Sequence, residues 1–311
     1  MRKLIKLGTR KSLLALTQST MIKKLIENQH PGVTVELVKI VTKGDKILDV
    51  PLAKVGGKGL FVKEIEEAML RGEIDMAVHS MKDVPAELPA ELVMGVVPKR
   101  EDPRDAFIAN QYKSVHDLPM GAKVGTSSLR RRSQLAHLRP DLVIEDLRGN
   151  LDTRLRKLDE GLYDAIILAA AGLNRLGLAE RATAFFSPAE MLPAVAQGAL
   201  GIELRRDDQE LLDGLAFLDD SPTSVAVAVE RSFLHRLEGG CQVPLGCFAE
   251  LLDQQVSATG LVASVDGKEI IRKTVSGAPE RAVELGRELA EGLLGMGGQA
   301  ILAEVYGRSL S

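Results

Sequence analysis

The chain of 311 residues contains no tryptophan, and aromatic residues make up only 3% of it. Proteins that bind single-stranded nucleic acid stack the bases on aromatic side chains, so this composition argues against a nucleic-acid partner. No apolar run approaches the length needed to cross a bilayer, and no membrane partner is expected. The net charge of −3 indicates no partner by itself, because the location of the basic residues matters more than their sum.

Cysteine is also scarce, with only Cys241 and Cys247 in the whole chain. Their spacing matches no common zinc pattern and a second pair of ligands is missing, so no metal site is expected. A disulfide between them is possible but would close a very short loop. Lys6 and Arg10 interrupt any apolar core of a secretory signal, which predicts a cytoplasmic location in which thiols stay reduced.

The thiol of Cys241 lies in a segment that cannot form a regular element, Glu238–Gly246. Two glycines precede it, and Pro244 and Gly246 follow it. A structural cysteine more often lies inside an apolar run, where it packs as a small hydrophobic residue. The loop setting therefore favours covalent chemistry or attachment, and an unreactive loop cysteine is the alternative.

Hydrophobic and charged residues, at 45% and 27%, are typical of a globular protein, and the length predicts two or three domains. Strand and helix patterns alternate, which predicts mostly parallel sheets with ligands at the carboxyl ends of the strands. Residues 199–204 resemble a strand that returns to the first sheet. Proline-bounded joints then predict three domains: residues 1–98 plus 194–219, residues 99–193, and residues 220–311.

Basic residues follow several predicted strands, where a parallel sheet presents its ligand groups. Arg130 and Arg131 lie in the first turns of a helix that Ser127 or Ser128 caps, although a helix N-terminus favours negative charge. Free N–H groups at that end already attract anions, so added arginines predict a carboxylate or phosphate site. A solvated face is the alternative. Together with Asp83, the candidate cleft contains Arg10, Ser12, Lys82, Arg130, Arg131, Arg148, Arg154 and Arg175.

The polar, glycine-rich segment between Val41 and Leu60 shows no convincing periodicity. A loop of this length without its own structure is usually a lid or is disordered, and its lysines favour a mobile lid over an anionic ligand. It is not a phosphate-binding P-loop, because Gly59 follows Lys58 where a hydroxyl residue is required.

Eight motifs spread along the chain carry a more specific signal. They are Gly8–Ser12, PLAKVGGKGLF from Pro51, AVHSMKDVP from Ala77, KREDPRDAF from Lys99, VGTSSLRR from Val124, LRGN from Leu147, LPAVAQGALGIE from Leu192 and LEGGCQVPLG from Leu237. Over nearly its whole length the chain resembles the porphobilinogen deaminases, also called hydroxymethylbilane synthases. It departs from their pattern at Leu13, Thr17 and Cys247.

This resemblance implies an α/β fold of three domains, the first two doubly wound and similar to type II periplasmic binding proteins, the third a small α+β domain. It implies a monomeric transferase of tetrapyrrole biosynthesis that joins four porphobilinogen molecules head to tail, with loss of ammonia, and releases hydroxymethylbilane. The cofactor would be a dipyrromethane, bound covalently through a thioether to Cys241. The competing interpretation is a non-catalytic binding module with the same two-domain cleft, which would need neither Asp83 nor Cys241.

The resemblance also assigns roles to residues. Asp83 would be catalytic, holding pyrrole N–H groups and the cation left when ammonia departs. With Asp83, the cofactor would be bound by Lys82, Thr126, Ser127, Ser128, Arg130, Arg131 and Arg148. Substrate would be bound by Arg10, Ser12, Gln18, Arg148, Arg154 and Arg175, and the lid would close through Lys54, Lys58 and Phe61.

Four residues are expected to take no part in the chemistry. His79 lies in a buried strand and is interpreted as a hydrogen-bonded core histidine, not a general base. Cys247 is expected to be buried and inert. Arg132 and Arg156 are expected to face solvent, because the helical register points them away from Arg131 and Arg154.

Overall fold

The structure is a computed structural model that describes residues 1–46, 59–238 and 243–307. Its strands form three separate sheets. In chain order the strands are β1 (Leu4–Arg10), β2 (Thr34–Ile40), β3 (Met76–Ser80), β4 (Leu92–Val96), β5 (Asp105–Ile108), β6 (Lys123–Gly125), β7 (Val143–Glu145), β8 (Ala165–Ala169), β9 (Ala184–Phe185), β10 (Leu200–Arg205), β11 (Leu245–Leu252), β12 (Gln255–Ala263) and β13 (Ile270–Gly277).

Within the same described ranges the α-helices are α1 (Leu13–Gln29), α2 (Lys43–Lys46), α3 (Lys63–Leu70), α4 (Leu129–Leu138), α5 (Leu151–Asp159), α6 (Ala170–Arg175), α7 (Gln209–Leu215), α8 (Ser221–Arg236), α9 (Ala282–Leu293) and α10 (Gln299–Tyr306). Two of the predicted caps are present. Ser12 accepts a hydrogen bond from the amide of Ala15 at the start of α1, and Ser128 accepts one from the amide of Arg131 at the start of α4. Of the helices in this part of the chain, none combines the length and apolar character that crossing a membrane requires.

The first sheet has the strand order β2-β1-β3-β10-β4. β1 pairs in parallel with β2 and β3, and β10 runs antiparallel to both β3 and β4. The predicted return of residues 199–204 to this sheet is therefore confirmed. The carboxyl ends of β1 and β3 lie at one edge, which places Arg10 and the segment after Ser80 together.

The second sheet repeats this plan in the order β7-β6-β8-β5-β9, with β6 parallel to β7 and β8. β5 takes the place of β10, because it also arrives from the other sheet and runs antiparallel to its neighbours. The two α/β units therefore share one strand topology, and the segments after β3 and β6 occupy equivalent positions in them.

The third sheet is the antiparallel meander β11-β12-β13, against which α8 and α9 pack. The sequence predicted the β12–β13 hairpin but not β11, because Pro244 and Gly246 hide the start of that strand. Cys247 lies on β11, is completely buried and has a free thiol, so the expectation that it is buried is confirmed. The fold class of two similar α/β units and a small α+β unit is confirmed as well.

Part of the predicted lid loop is helical, since α2 lies within it. Residues 47–58, with Lys54 and Lys58, and residues 239–242, with Cys241, lie outside the described residues. The predictions for them stay predictions. Each sheet takes its strands from within one of the three predicted domain ranges, whose bounds also stay predictions.

Candidate active site

Asp83 and Lys82 lie on a short 3₁₀ turn, Met81–Asp83, that directly follows β3. The buried side chain of Met81 anchors this turn, and the amide of Met81 donates to the carbonyl of Ala199 on the neighbouring segment at 3.1 Å. The side chains of Lys82 and Asp83 are half-buried. The turn therefore presents one carboxylate and one amine at the edge that faces the second unit.

Cations from the second unit surround this turn. Burial, followed by the charge of Arg131, lowers the pKa of Lys82 to about 8, against the opposing effect of Asp83. Burial, followed by the charges of Arg131 and Arg148, lowers the pKa of Arg154 to about 10, and Asp83 again opposes the shift. Cations thus outnumber the carboxylates near them, an arrangement that favours ligands with several carboxylate groups.

Arg154 and Arg175 are both held by backbone carbonyls. Arg154 Nε donates to Gly149 O at 2.8 Å, and Arg175 Nη2 donates to Gly198 O at 2.6 Å. Burial lowers the pKa of Arg175 to about 10, although Glu101 opposes this. Arg175 lies at the end of α6, one helix beyond the strand end at which the sequence placed it.

Arg130 and Arg131 share a resident carboxylate, Asp105, which is fully buried at the start of β5. Arg130 Nη1 lies 2.6 Å from Asp105 Oδ2, and Arg131 Nε lies 2.9 Å from Asp105 Oδ1. Burial would raise the pKa of Asp105, but the two guanidinium groups outweigh it and hold the pKa far below its usual range. Gln197 completes the cluster, with its Nε2 donating to Asp105 Oδ1 at 2.9 Å.

Asp105 and Gln197 were not predicted from the sequence as parts of this site. Asp105 lies within the motif KREDPRDAF, and Gln197 lies within LPAVAQGALGIE, but neither spacing shows that the two side chains meet. Within the described ranges, the buried Nε of Arg130 has no hydrogen-bond acceptor. A donor therefore remains for an acidic ligand even though Asp105 is in place.

The three hydroxyl residues before α4 organise its start. Besides the cap by Ser128, Thr126 Oγ1 accepts from the amide of Ser128 at 3.3 Å, and Ser127 Oγ donates to Leu147 O at 2.9 Å. These bonds fix the turn between β6 and the two arginines.

Arg10 is engaged on the other side of the cleft. Its Nη2 lies 2.5 Å from Asp45 Oδ1, and its guanidinium carbon lies 4.2 Å from the centroid of the Phe61 ring. Gln18 is buried on α1, and its Nε2 donates to Ser80 Oγ at 3.1 Å, one residue before the Asp83 turn. Ser12 caps the N-terminus of α1, the helix that carries Gln18.

Three of the residues expected to have no chemical role can be compared with the structure. His79 is buried, and its Nε2 lies 2.9 Å from Glu203 Oε2, as expected of a satisfied core histidine. Arg156 is exposed and pairs with Glu160. Arg132 is only half-exposed and pairs with Asp146 at 3.3 Å.

Replacing Asp105 with alanine is expected to destabilise the protein by about 3–5 kcal/mol, because it leaves two buried guanidinium charges without their carboxylate. Asp102 is the matched control, since it pairs with Arg104 in a more exposed position. Its replacement by alanine is expected to cost about 1 kcal/mol or less. Urea unfolding of the two variants measures the difference, and equal losses would contradict the assignment of Asp105 as the counter-ion of the cluster.

The protein is thus a three-unit α/β protein in which cations of the second unit lie near the Lys82 and Asp83 turn of the first. Within the described residues no group of three or more His, Cys, Asp or Glu side chains could hold a metal ion. Two family models match the chain, "Porphobilinogen deaminase, dipyromethane cofactor binding domain" over residues 5–213 and "Porphobilinogen deaminase, C-terminal domain" over residues 224–295. The chain belongs to the porphobilinogen deaminase family, transferases of tetrapyrrole biosynthesis with a dipyrromethane cofactor.

Similar curated proteins agree with this assignment. The porphobilinogen deaminase of Syntrophobacter fumaroxidans is 57% identical over 304 residues, covering 98% of both chains. That of Trichlorobacter lovleyi is 55% identical over 309 residues, covering 99% of both. Among solved structures, a nutrient binding protein from Burkholderia cenocepacia bound to methionine matches 68% of this chain and 89% of its own, with 16% identity and a TM-score of 0.42.

Proposed function

We propose that the protein polymerises four porphobilinogen molecules head to tail, releases ammonia at each step and liberates hydroxymethylbilane. The observation that carries this proposal is the carboxylate of Asp83, which lies near enough to Lys82 and Arg154 to oppose the lowering of their pKa values. Each porphobilinogen brings two carboxylates for the cations and a pyrrole N–H for Asp83. A simple anion-binding module would gain nothing from a carboxylate at that position.

We further propose that the dipyrromethane cofactor is attached to Cys241. When bound, it supplies the pyrrole carbon onto which the first substrate is joined and so acts as a primer. The donor set fits its carboxylates, because it combines buried guanidinium groups, an amine of lowered pKa and the free Nε of Arg130 among the described residues. The residues proposed to hold it are Lys82, Asp83, Thr126, Ser127, Ser128, Arg130, Arg131 and Arg148.

The chemical step that we assign to Asp83 is electrostatic and acid–base. Its carboxylate accepts a hydrogen bond from the pyrrole N–H and stabilises the positive charge that develops on the substrate as ammonia departs. The residues proposed to bind the substrate carboxylates and orient the ring are Arg10, Ser12, Gln18, Arg148, Arg154 and Arg175.

The contacts of Arg10 fit a role in binding substrate carboxylates, although in the structure its guanidinium group is paired with the carboxylate of Asp45. A substrate carboxylate would replace that of Asp45 at the same guanidinium group, next to Phe61. We propose Phe61, Lys54 and Lys58 as the residues that cover the bound chain. The domain bounds given above, a monomeric state and a cytoplasmic location complete the proposal.

The direct test is to incubate the purified protein with porphobilinogen and to measure ammonia and hydroxymethylbilane together. We expect four molecules of ammonia for each tetrapyrrole released. Tight binding of porphobilinogen without release of ammonia would contradict the proposal and favour a binding module.

The charge of Lys82 predicts a pH dependence of substrate binding. Its amine loses its proton as pH rises through about 8, whereas an ordinary lysine stays charged up to about 10.5. If the charged form binds a carboxylate of the incoming porphobilinogen in addition to those of the cofactor, KM for porphobilinogen should rise about tenfold between pH 7 and pH 9 by linkage. Lys82→Arg stays charged over this range, so its KM should change less, and equal pH profiles for the two proteins would contradict this role.

A further inference from the structure

Arg231, on α8 of the third unit, holds the backbone that directly follows Asp83. Its Nη2 donates to Pro85 O at 2.8 Å and to Ala86 O at 3.1 Å, and its Nη1 lies 3.4 Å from Val84 O. We propose that Arg231 is a positioning residue for the reaction, which fixes the Met81–Asp83 turn so that the Asp83 carboxylate faces the cleft. This inference rests on the role proposed above for Asp83.

The segment Val84–Ala86 needs such a donor because it belongs to no strand or helix. The amide of Val84 closes the 3₁₀ turn onto Met81 O, and Pro85 has no amide hydrogen to offer. Within the described ranges, these three carbonyl oxygens accept hydrogen bonds from Arg231 alone. Val84 is buried, and Pro85 and Ala86 are half-buried, so removing the guanidinium group would leave these carbonyl groups without their donor and the segment freer to move.

The surroundings of Arg231 keep its guanidinium group on these carbonyls. Burial lowers the pKa of Arg231, and the nearby carboxylate of Glu203 opposes the shift. Glu203 is itself hydrogen-bonded to His79, on the strand that leads into the Asp83 turn. The positive charge of Arg231 is therefore stabilised by the Glu203 carboxylate as well as by the three carbonyl oxygens.

The helix from which Arg231 extends is fixed by the preceding residue, Glu230, which is fully buried. Glu230 accepts from Arg100 Nη1 at 2.6 Å, from the amide of Ala196 at 2.5 Å and from the amide of Ala249 at 2.9 Å. Arg100 and Ala196 lie on the two segments that connect the first and second units, and Ala249 lies on β11. Consecutive residues of α8 therefore fix the connections between the units and the catalytic turn.

The test compares Arg231→Met, which keeps an apolar stem but removes every donor, with Arg231→Lys, which returns one charged donor. For Arg231→Met we expect kcat to fall about tenfold or more, KM for porphobilinogen to stay within about twofold, and the mass of the covalent cofactor to be unchanged. Arg231→Lys should recover part of kcat. Amide exchange of Val84, Ala86 and Glu87 should be faster in Arg231→Met than in the parent, which reports positioning independently of catalysis.

Arg206 provides the matched control, because it also binds backbone carbonyls, those of Ala90 and Leu92, but away from the Asp83 turn. Arg206→Met should keep the parent kcat. If Arg231→Met fails to fold, Arg231→Lys alone tests the inference. A lowered kcat of Arg231→Lys at unchanged cofactor mass supports the inference, and a parental kcat overturns it. A parental kcat in Arg231→Met also overturns the positioning role of Arg231. That result would leave the role of Asp83 intact, which only an active Asp83→Asn variant would overturn.

Discussion

Replacing Asp83 with asparagine is expected to lower turnover by about 10²–10⁴-fold, the range typical of losing a positioned acid–base or electrostatic group. The amide keeps the shape of the side chain but removes its charge, so it cannot stabilise a cation on the substrate or accept a proton. The cations around it, Lys82 and Arg154, would remain to bind carboxylates. Turnover should therefore fall far more than substrate binding, and the covalent cofactor should still be present.

Asp75 offers a control at the other end of β3. It immediately precedes β3, at the end opposite to Asp83, and pairs with Arg2 and Arg205. Asp75→Asn tests loss of an aspartate charge in this unit without touching the cleft, and its turnover should stay within about threefold of the parent. Steady-state kinetics of both variants, with intact mass as a check on the cofactor, give the comparison. Near-normal production of hydroxymethylbilane by Asp83→Asn would refute its assigned role.

Replacing Cys241 with alanine is expected to abolish turnover and to remove the covalent adduct completely. The measurement is the intact mass of the fully unfolded protein, so that only covalently attached groups contribute. The parent should exceed its sequence mass by two deaminated porphobilinogen units, and Cys241→Ala should show the sequence mass alone. A parent without excess mass should gain the adduct after incubation with porphobilinogen, and failure to gain it would refute attachment.

Cys247 is the matched control, because it is the only other thiol in the sequence. Burial, together with the charge of Glu230, raises its pKa well above the ordinary value, so it is not present as the reactive thiolate. Cys247→Ala should therefore retain the adduct and turnover, at a modest cost in stability. Loss of the adduct in Cys247→Ala but not in Cys241→Ala would reverse the assignment.

Local features of the fold could be predicted because they depend on neighbouring residues. The caps at Ser12 and Ser128, the alternation of strands and helices, and the hairpin of β12 and β13 all follow from patterns within about 20 residues. The return of β10 to the first sheet was also predictable, since a proline-bounded joint precedes an apolar strand pattern. By contrast, β11 was missed because its start coincides with Pro244 and Gly246, which indicate a loop.

The sequence was sufficient to predict the family, the locations of Arg10, Asp83 and Arg148 at or just beyond strand ends, the location of Arg131 at a helix start, and the burial of His79. These are properties of motifs that are contiguous in the chain. Which charged groups pair with each other became known only from the tertiary structure. Asp105 pairs with Arg130 and Arg131, and Asp45 pairs with Arg10. Arg231 donates hydrogen bonds to the carbonyl groups that follow Asp83. These partners lie tens to more than a hundred residues apart, and a buried charge is satisfied by whichever group the folded chain places within a few ångströms.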